Sequence, residues 1–241
     1  MLKKALGIIP ARFESSRFPG KPLALIHGQP MIRRVYEAAK SANSLDRIIV
    51  ATDDGRIAEA CRSFGAPVVM TSPHHRSGTE RAAEAAAAFD SPIVVNIQGD
   101  EPLLDGRDID KLVQALQDEK TSMASLMIRV CETQSIHDEN RVKVVADKNG
   151  YALYFSRAAI PFRAVDGFYQ HIGIYAFQRG VLEAFARIDP SPLEISENLE
   201  QLRALENGFR IRMIETQTPS RGVDVPGDIV EIERILDAGE P

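Results

Sequence analysis

The run Ile93-Val94-Val95-Asn96-Ile97 is nearly all apolar. A strand without polar alternation has no face for water, so it must be covered on both sides. The segments before it supply both more strands and the covers. Residues 4–9 read as a first strand, Arg47-Ile48-Ile49-Val50-Ala51-Thr52 as a second and Pro67-Val68-Val69-Met70 as a third. Between them lie helical patterns. One spans 30–42 with Met31, Val35, Ala38 and Ala39 on one face; one of about ten residues ends at Phe64, with Gly65 as C-cap; one covers Ala82 to Ala88. The β-α-β-α-β-α-β order predicts the α/β class: a mostly parallel, Rossmann-like sheet with helices on both faces.

After a helix near 106–118 the rhythm changes. Residues 123–130, 142–147, 151–156 and 171–177 read as strands with few helices between them, and Lys148-Asn149-Gly150 as a hairpin turn. On regular alternation, positions 171, 173 and 175 share one face. Helices near 179–187 and 196–206, a strand at 210–215 and a last helix from about 226 to 237 complete the chain. No repeat, low-complexity tract or Gly/Ser linker divides it. The expectation is a single domain, 1–241, with an antiparallel extension within about 120–215 as a dimerisation arm.

The net charge of −5 argues against a broad nucleic-acid footprint. No apolar run approaches the roughly 20 residues that span a bilayer, so no membrane partner is expected. The apolar segment behind Met1-Leu2-Lys3-Lys4 is too short for a signal peptide. Two cysteines, Cys61 and Cys131, make neither a disulfide framework nor a zinc site. The cytoplasm is the expected compartment.

The first strand empties into Ala11-Arg12-Phe13-Glu14-Ser15-Ser16-Arg17-Phe18-Pro19-Gly20-Lys21-Pro22. Open α/β sheets place their ligand at the carboxyl ends of the strands. Three cations there, Arg12, Arg17 and Lys21, point to a polyanion such as a triphosphate; the plain alternative is a solvated loop with a Pro-Gly turn. Neither a P-loop nor the dinucleotide pattern G-x-G-x-x-G is present. Gln98-Gly99-Asp100-Glu101-Pro102 follows the fourth strand and shares that edge. Gly99 allows close backbone approach and Asp100 offers a hard oxygen to Mg²⁺; an acidic turn is the plain alternative. Ser77-Gly78-Thr79-Glu80-Arg81 fits a capping box, with Ser77 as N-cap, and also sets Arg81 at a helix N-terminus suited to an anion or a base edge. Asp224, in Arg221-Gly222-Val223-Asp224-Val225-Pro226, reads equally as the cap of the last helix or as a second metal carboxylate. Arg157, His171, Tyr175, Glu200 and Gln201 are polar residues in apolar company, and none signals a function alone. His74-His75 reads as a surface feature.

In combination these segments resemble one family, the CMP-Kdo synthetases, which activate 3-deoxy-manno-octulosonate (Kdo) for lipopolysaccharide. PARFESSRFPGKPL, VATDD, SGTER, NIQGDEP, KVV, ALYFSRAAIPF, HIGIYAF, LEQLRALE and GVDVP occur in the family's order, from Ile8 to about Ile235. The resemblance implies a nucleotidyltransferase fold, CTP and Kdo as substrates, Mg²⁺ as cofactor and a homodimer. It implies that Ala11, Arg12, Arg17, Lys21, Ser77, Arg81 and Gln98 bind the nucleotide. Arg12 and Lys21 would also take part in catalysis, with Asp100 and Asp224, which would hold the metal. Arg157, His171, Tyr175, Glu200 and Gln201 would form the sugar pocket in the extension. The link from Pro161 to His171 is shorter than in some relatives, and Val225 and Gly227 replace the usual Thr and Glu after Asp224. The expected reaction is attack of the Kdo anomeric hydroxyl on the α-phosphorus of CTP, releasing pyrophosphate, with catalysis by positioning and electrostatics. No covalent nucleophile or clear general base stands out. The rivals are an 8-amino Kdo analogue or a sialic acid as acceptor, and a non-catalytic nucleotide sensor on the same fold.

Overall fold

The first strand, β1 (Ala5–Ala11), is buried along its whole length because layers of side chains cover both of its faces. The computed structural model describes residues 4–15, 18–219 and 221–239. After β1 come a 3-10 turn at Lys21–Leu23 and a small hairpin, β2 (Leu25–Ile26) and β3 (Gln29–Pro30). Then α1 (Met31–Lys40), β4 (Leu45–Thr52), α2 (Gly55–Ser63), β5 (Val68–Met70), α3 (Gly78–Ala86), β6 (Ile93–Asn96) and α4 (Gly106–Ala115) alternate. The second half holds β7 (Met123–Val130), β8 (Lys143–Ala146), β9 (Ala152–Ser156), β10 (Phe168–Gln178), α5 (Arg179–Phe185), α6 (Pro192–Glu197), α7 (Gln201–Glu206), β11 (Ile211–Thr216) and α8 (Asp228–Ala238).

The main sheet runs β11-β7-β10-β6-β1-β4-β5, with β8 and β9 branching from β10. Strand β1 is parallel to β4 and β6, β4 to β5 and β11 to β7, while β10 is antiparallel to both of its neighbours. This is the expected mostly parallel sheet with an antiparallel extension. Ile32, Val35, Ile57, Ile109 and Leu112 of α1, α2 and α4 pack on one face, with Ile9, Val50 and Val95. Ala82, Ala85, Leu182, Phe185 and Leu202 of α3, α5 and α7 pack on the other, with Ile8, Ile49 and Val94. The chain leaves β1 toward β4 on one side and returns through β6 on the other. The sheet's topological switch point therefore lies between β1 and β6, and a crevice opens beyond their carboxyl ends.

Three segments depart from expectation. The helix read at 196–206 is two helices, because Asn198 adopts a left-handed conformation with φ 53° and ends the first. Strand β10 carries a bulge between Ile172 and Tyr175, so simple alternation does not order 171, 173 and 175. The last helix begins at Asp228, whose carboxylate accepts the Asp224 and Val225 amides at 2.7 and 2.9 Å. Asp224 is thus not the cap of that helix, and its side chain lies elsewhere, on the cleft wall.

Candidate active site

A cleft of about 250 Å³ lies at the switch point, lined by Pro10, Ala11 and Arg12 from the end of β1 and by Gln98, Gly99 and Asp100 beyond β6. Gly99 is required there, since a Cβ on it would come within 2.9 Å of the Pro10 carbonyl oxygen. The loop after β1 closes on itself through the Gly20 amide, which donates to the Phe13 carbonyl at 2.8 Å with Gly20 at φ 73°. The Phe13 ring packs beneath the Arg56 guanidinium, 3.3 Å from the ring centroid, which fixes the loop's inner edge. Arg12 is exposed at the cleft and has no carboxylate partner among the described residues. Arg17 lies outside the described residues.

Lys21 enters the cleft from the 3-10 turn. Its ammonium bonds Asp100 Oδ2 at 2.5 Å and the Val223 carbonyl at 2.8 Å. The Val223 amide in turn donates to the Asp100 carbonyl at 2.9 Å. A cation, two loops and two acids are thereby tied at one point, because Asp224 follows Val223 and also lines the cleft. Two carboxylates on separate loops beside a basic loop form a donor set that suits Mg²⁺, which takes few protein ligands and completes its shell with phosphate and water.

The opposite wall is the start of α3. Ser77 accepts the Glu80 amide at 3.2 Å, the N-cap half of the expected capping box, while the Glu80 carboxylate takes the Arg76 amide at 2.8 Å instead of closing the box on Ser77. Arg81 is buried, with one guanidinium nitrogen donating to Thr71 Oγ1 at 2.5 Å and another 3.2 Å from Asp53 Oδ2. It lines the cleft as a rigid cation whose orientation is set from behind. His75 is not the surface feature that the sequence implied. It lines the same cleft, and its Nε2 contacts Glu84 Oε2. Arg76 lines the cleft too, with Nε donating to Glu80 Oε1 at 2.6 Å. Glu80 and Glu84 are one helical turn apart, and that spacing is the signal by which both loop residues could have been found.

Of the remaining expected residues, His171, Tyr175, Glu200 and Gln201 meet as a second wall on the β10 side, Arg157 is not bonded to any of these four, and none of the five lines the cleft itself. Glu200 is the link. Its Oε2 accepts the Thr79 hydroxyl at 2.5 Å, and Thr79 Oγ1 accepts from Asn96 Nδ2 at 3.2 Å. Burial pushes the Glu200 carboxyl up, only partly offset by the Ser77 and Thr79 hydroxyls. Burial, then the Glu200 charge, pushes the Tyr175 phenol up. His171 lies 5.4 Å from the Tyr175 ring centroid and 5.0 Å from that of Phe155. Burial depresses it to about 3, so it is neutral at physiological pH. Gln201 Nε2 lies 3.5 Å from His171 Nδ1. Arg157 is engaged on carbonyls: Nε on Glu197 at 2.9 Å, one terminal nitrogen on Glu139 at 2.9 Å and the other on Asn198 at 3.4 Å. Glu197 was not singled out from the sequence. Its carboxylate takes the Ser156 hydroxyl at 2.6 Å and the Arg157 amide at 2.8 Å, joining β9 to the end of α6.

The chain matches the model of a family described as Cytidylyltransferase over residues 6–213. It is 50% identical to a 3-deoxy-manno-octulosonate cytidylyltransferase of Syntrophobacter fumaroxidans, covering 97% of each chain. It is 49% identical to the enzyme of the same name from Syntrophotalea carbinolica, over 95% of this chain and 97% of the relative. A solved structure of CMP:2-keto-3-deoxy-manno-octonic acid synthetase complexed with CTP superposes with a TM-score of 0.93 at 37% identity, covering 98% of this chain and 99% of that one.

Proposed function

The chain belongs to the 3-deoxy-manno-octulosonate cytidylyltransferase family, and from that premise we propose how its two walls divide the substrates. It is a cytidylyltransferase. CTP occupies the switch-point cleft and Kdo the β10–α7 wall. The observation that carries this division is the Thr79–Glu200 hydrogen bond, which sets the second wall two residues from Ser77 of the cleft.

In this reading Arg12, Arg17 and Lys21 hold the phosphates of CTP, while the Ala11 backbone, Ser77, Arg81 and Gln98 bind the nucleotide. Lys21 is a flexible point charge that bonds Asp100 in this structure and can turn to a phosphate oxygen. Asp100 and Asp224 would hold Mg²⁺; when bound, the ion offsets the charge that builds on the phosphates. His171, Tyr175, Glu200 and Gln201 orient the sugar so that its anomeric hydroxyl faces the α-phosphorus. Arg157 approaches the sugar carboxylate with donors now resting on carbonyls. Positioning and fixed charge account for the chemistry, with pyrophosphate leaving toward the basic loop.

We further propose that the protein acts as a homodimer in the cytoplasm. Leu153 on β9, Phe162 and Val165 on the following link, and Ile195 on α6 are 62, 93, 82 and 69% exposed. Four large apolar side chains exposed on the extension are what a protein interface would cover, and we take a second copy as the occupant. The free, exposed Cys131 suits a reducing compartment.

Incubation with CTP and Kdo, followed by ³¹P NMR, tests the reaction. The triphosphate signals should give way to pyrophosphate and a single phosphodiester. CTP left intact with Kdo present contradicts the proposal.

A further inference from the structure

Strand β7 places Ser125 wholly buried beneath the bulge of β10. Gly173 and Ile174 fall outside the pairing of β10 with either neighbour. The Ile174 carbonyl accepts from Ser125 Oγ at 2.8 Å, and the Ile172 carbonyl lies 3.2 Å from the same hydroxyl. His171 Nε2 is also 2.8 Å from Ser125 Oγ. A hydroxyl carries one proton. If the imidazole took it, the buried Ile174 carbonyl would lose its donor, a cost that folded proteins rarely bear. With the proton on the carbonyl, Ser125 can only accept from the ring, so Nε2 carries the hydrogen and Nδ1 does not.

We propose that Ser125 is a positioning residue that fixes His171 as the Nε2–H tautomer and so presents an unprotonated Nδ1 to the sugar-acid substrate. The inference rests on His171 belonging to the sugar wall. The other neighbour of Nδ1 is consistent with it: the Gln201 amide nitrogen stands 3.5 Å away, too far to use the lone pair fully. A substrate hydroxyl is the donor that would complete it. Burial keeps the ring neutral, so a defined tautomer persists through the physiological range. The Phe155 and Tyr175 rings confine the imidazole on the strand side.

The test is ¹⁵N NMR of the full chain labelled at histidine, beside steady-state kinetics with CTP and Kdo. The wild type and Ser125→Thr, which keeps the hydroxyl, should show a pyridine-like Nδ1 and a pyrrole-like Nε2 for His171. Ser125→Ala should lose that single tautomer. Its KM for Kdo should rise by about tenfold or more while that for CTP stays within about twofold, and Ser125→Thr should restore it. A protonated Nδ1 in the wild type overturns the assignment. An unchanged KM for Kdo in Ser125→Ala overturns the positioning role. His171→Ala separates the two layers: an unchanged KM for Kdo there means that the sugar wall itself is misplaced, and the role of Ser125 falls with it.

Discussion

At the scale of single residues, Lys21 and Arg81 at the switch point already hold oxygens, and Arg12 stands exposed at the cleft. Lys21, Asp100 and Val223 form one bonded unit, and Asp224 is the next residue on the same wall. Asp100→Ala removes both a carboxylate proposed to hold the metal and the partner of Lys21. Turnover should fall by roughly 10²-fold or more at saturating Mg²⁺ with melting unchanged; a near wild-type kcat would return Asp100 to an acidic turn. His171 makes a separate, pH-dependent prediction. Its folded pKa of about 3 lies below the unfolded 6.5, so the unfolded state binds the extra proton between those values. Stability from this group is complete above pH 6.5 and is lost as pH falls toward 3. Urea titrations at pH 7 and about pH 5 should show the wild type losing about 2 kcal/mol more than His171→Gln; equal losses would mean that the ring charges in the native state. The cleft positions of Arg12, Lys21 and Asp100 were legible in the sequence because each lies in the loop after a strand whose carboxyl end an open α/β sheet turns toward its ligand, while Arg17 lies outside the described residues. His75 and Arg76 were not, because their place depends on a loop folding back onto Glu80 and Glu84 of α3.

At the scale of elements, the α6–α7 pair holds the wall proposed for the sugar. Arg203, nearly fully buried, bonds Glu194 through two nitrogens at 2.7 and 2.6 Å, and a third reaches the Ile188 carbonyl at 3.0 Å. This pair closes the two helices over Asn198 and sets where Glu200 and Gln201 point. Arg203→Ala takes two donors from the half-buried Glu194 carboxylate, which keeps the Ser191 amide, and empties a buried side-chain site, which together should cost about 3 kcal/mol by urea unfolding. A loss below 1 kcal/mol, on the order of an exposed pair, would show that the junction is held by packing alone. The parallel half of the sheet was readable because apolar runs and helix periods repeat without interruption. The split helix was misread because Leu199, Leu202 and Leu205 sustain a helical stripe across 196–206, while the break rests on one left-handed asparagine. Ser191-Pro192-Leu193-Glu194 carries the pattern of a helix start and marks the true beginning of α6. The bulge in β10 did carry a marker, Gly173, since a glycine inside a strand run signals a bulge, and the Ser125 hydroxyl on the neighbouring strand meets the Ile174 carbonyl there.

At the scale of the molecule, the crossover between β1 and β6 creates the cleft proposed for the nucleotide, and β10, inserted antiparallel beside β6, carries the residues proposed for the sugar. The extension also carries the exposed apolar side chains. Light scattering should find a dimer, and Phe162→Asp with Leu153→Asp should weaken it roughly 30-fold or more; a wild-type monomer would remove the homodimer from the account. The division of substrates between the walls is the central claim. It is tested most directly by initial rates of pyrophosphate release across a grid of CTP and Kdo concentrations, for the wild type, Lys21→Ala and Gln201→Ala. The account predicts that Lys21→Ala lowers kcat/KM for CTP by about 10- to 150-fold while the KM for Kdo holds, and that Gln201→Ala does the reverse. Equal losses for both substrates in either variant would contradict it.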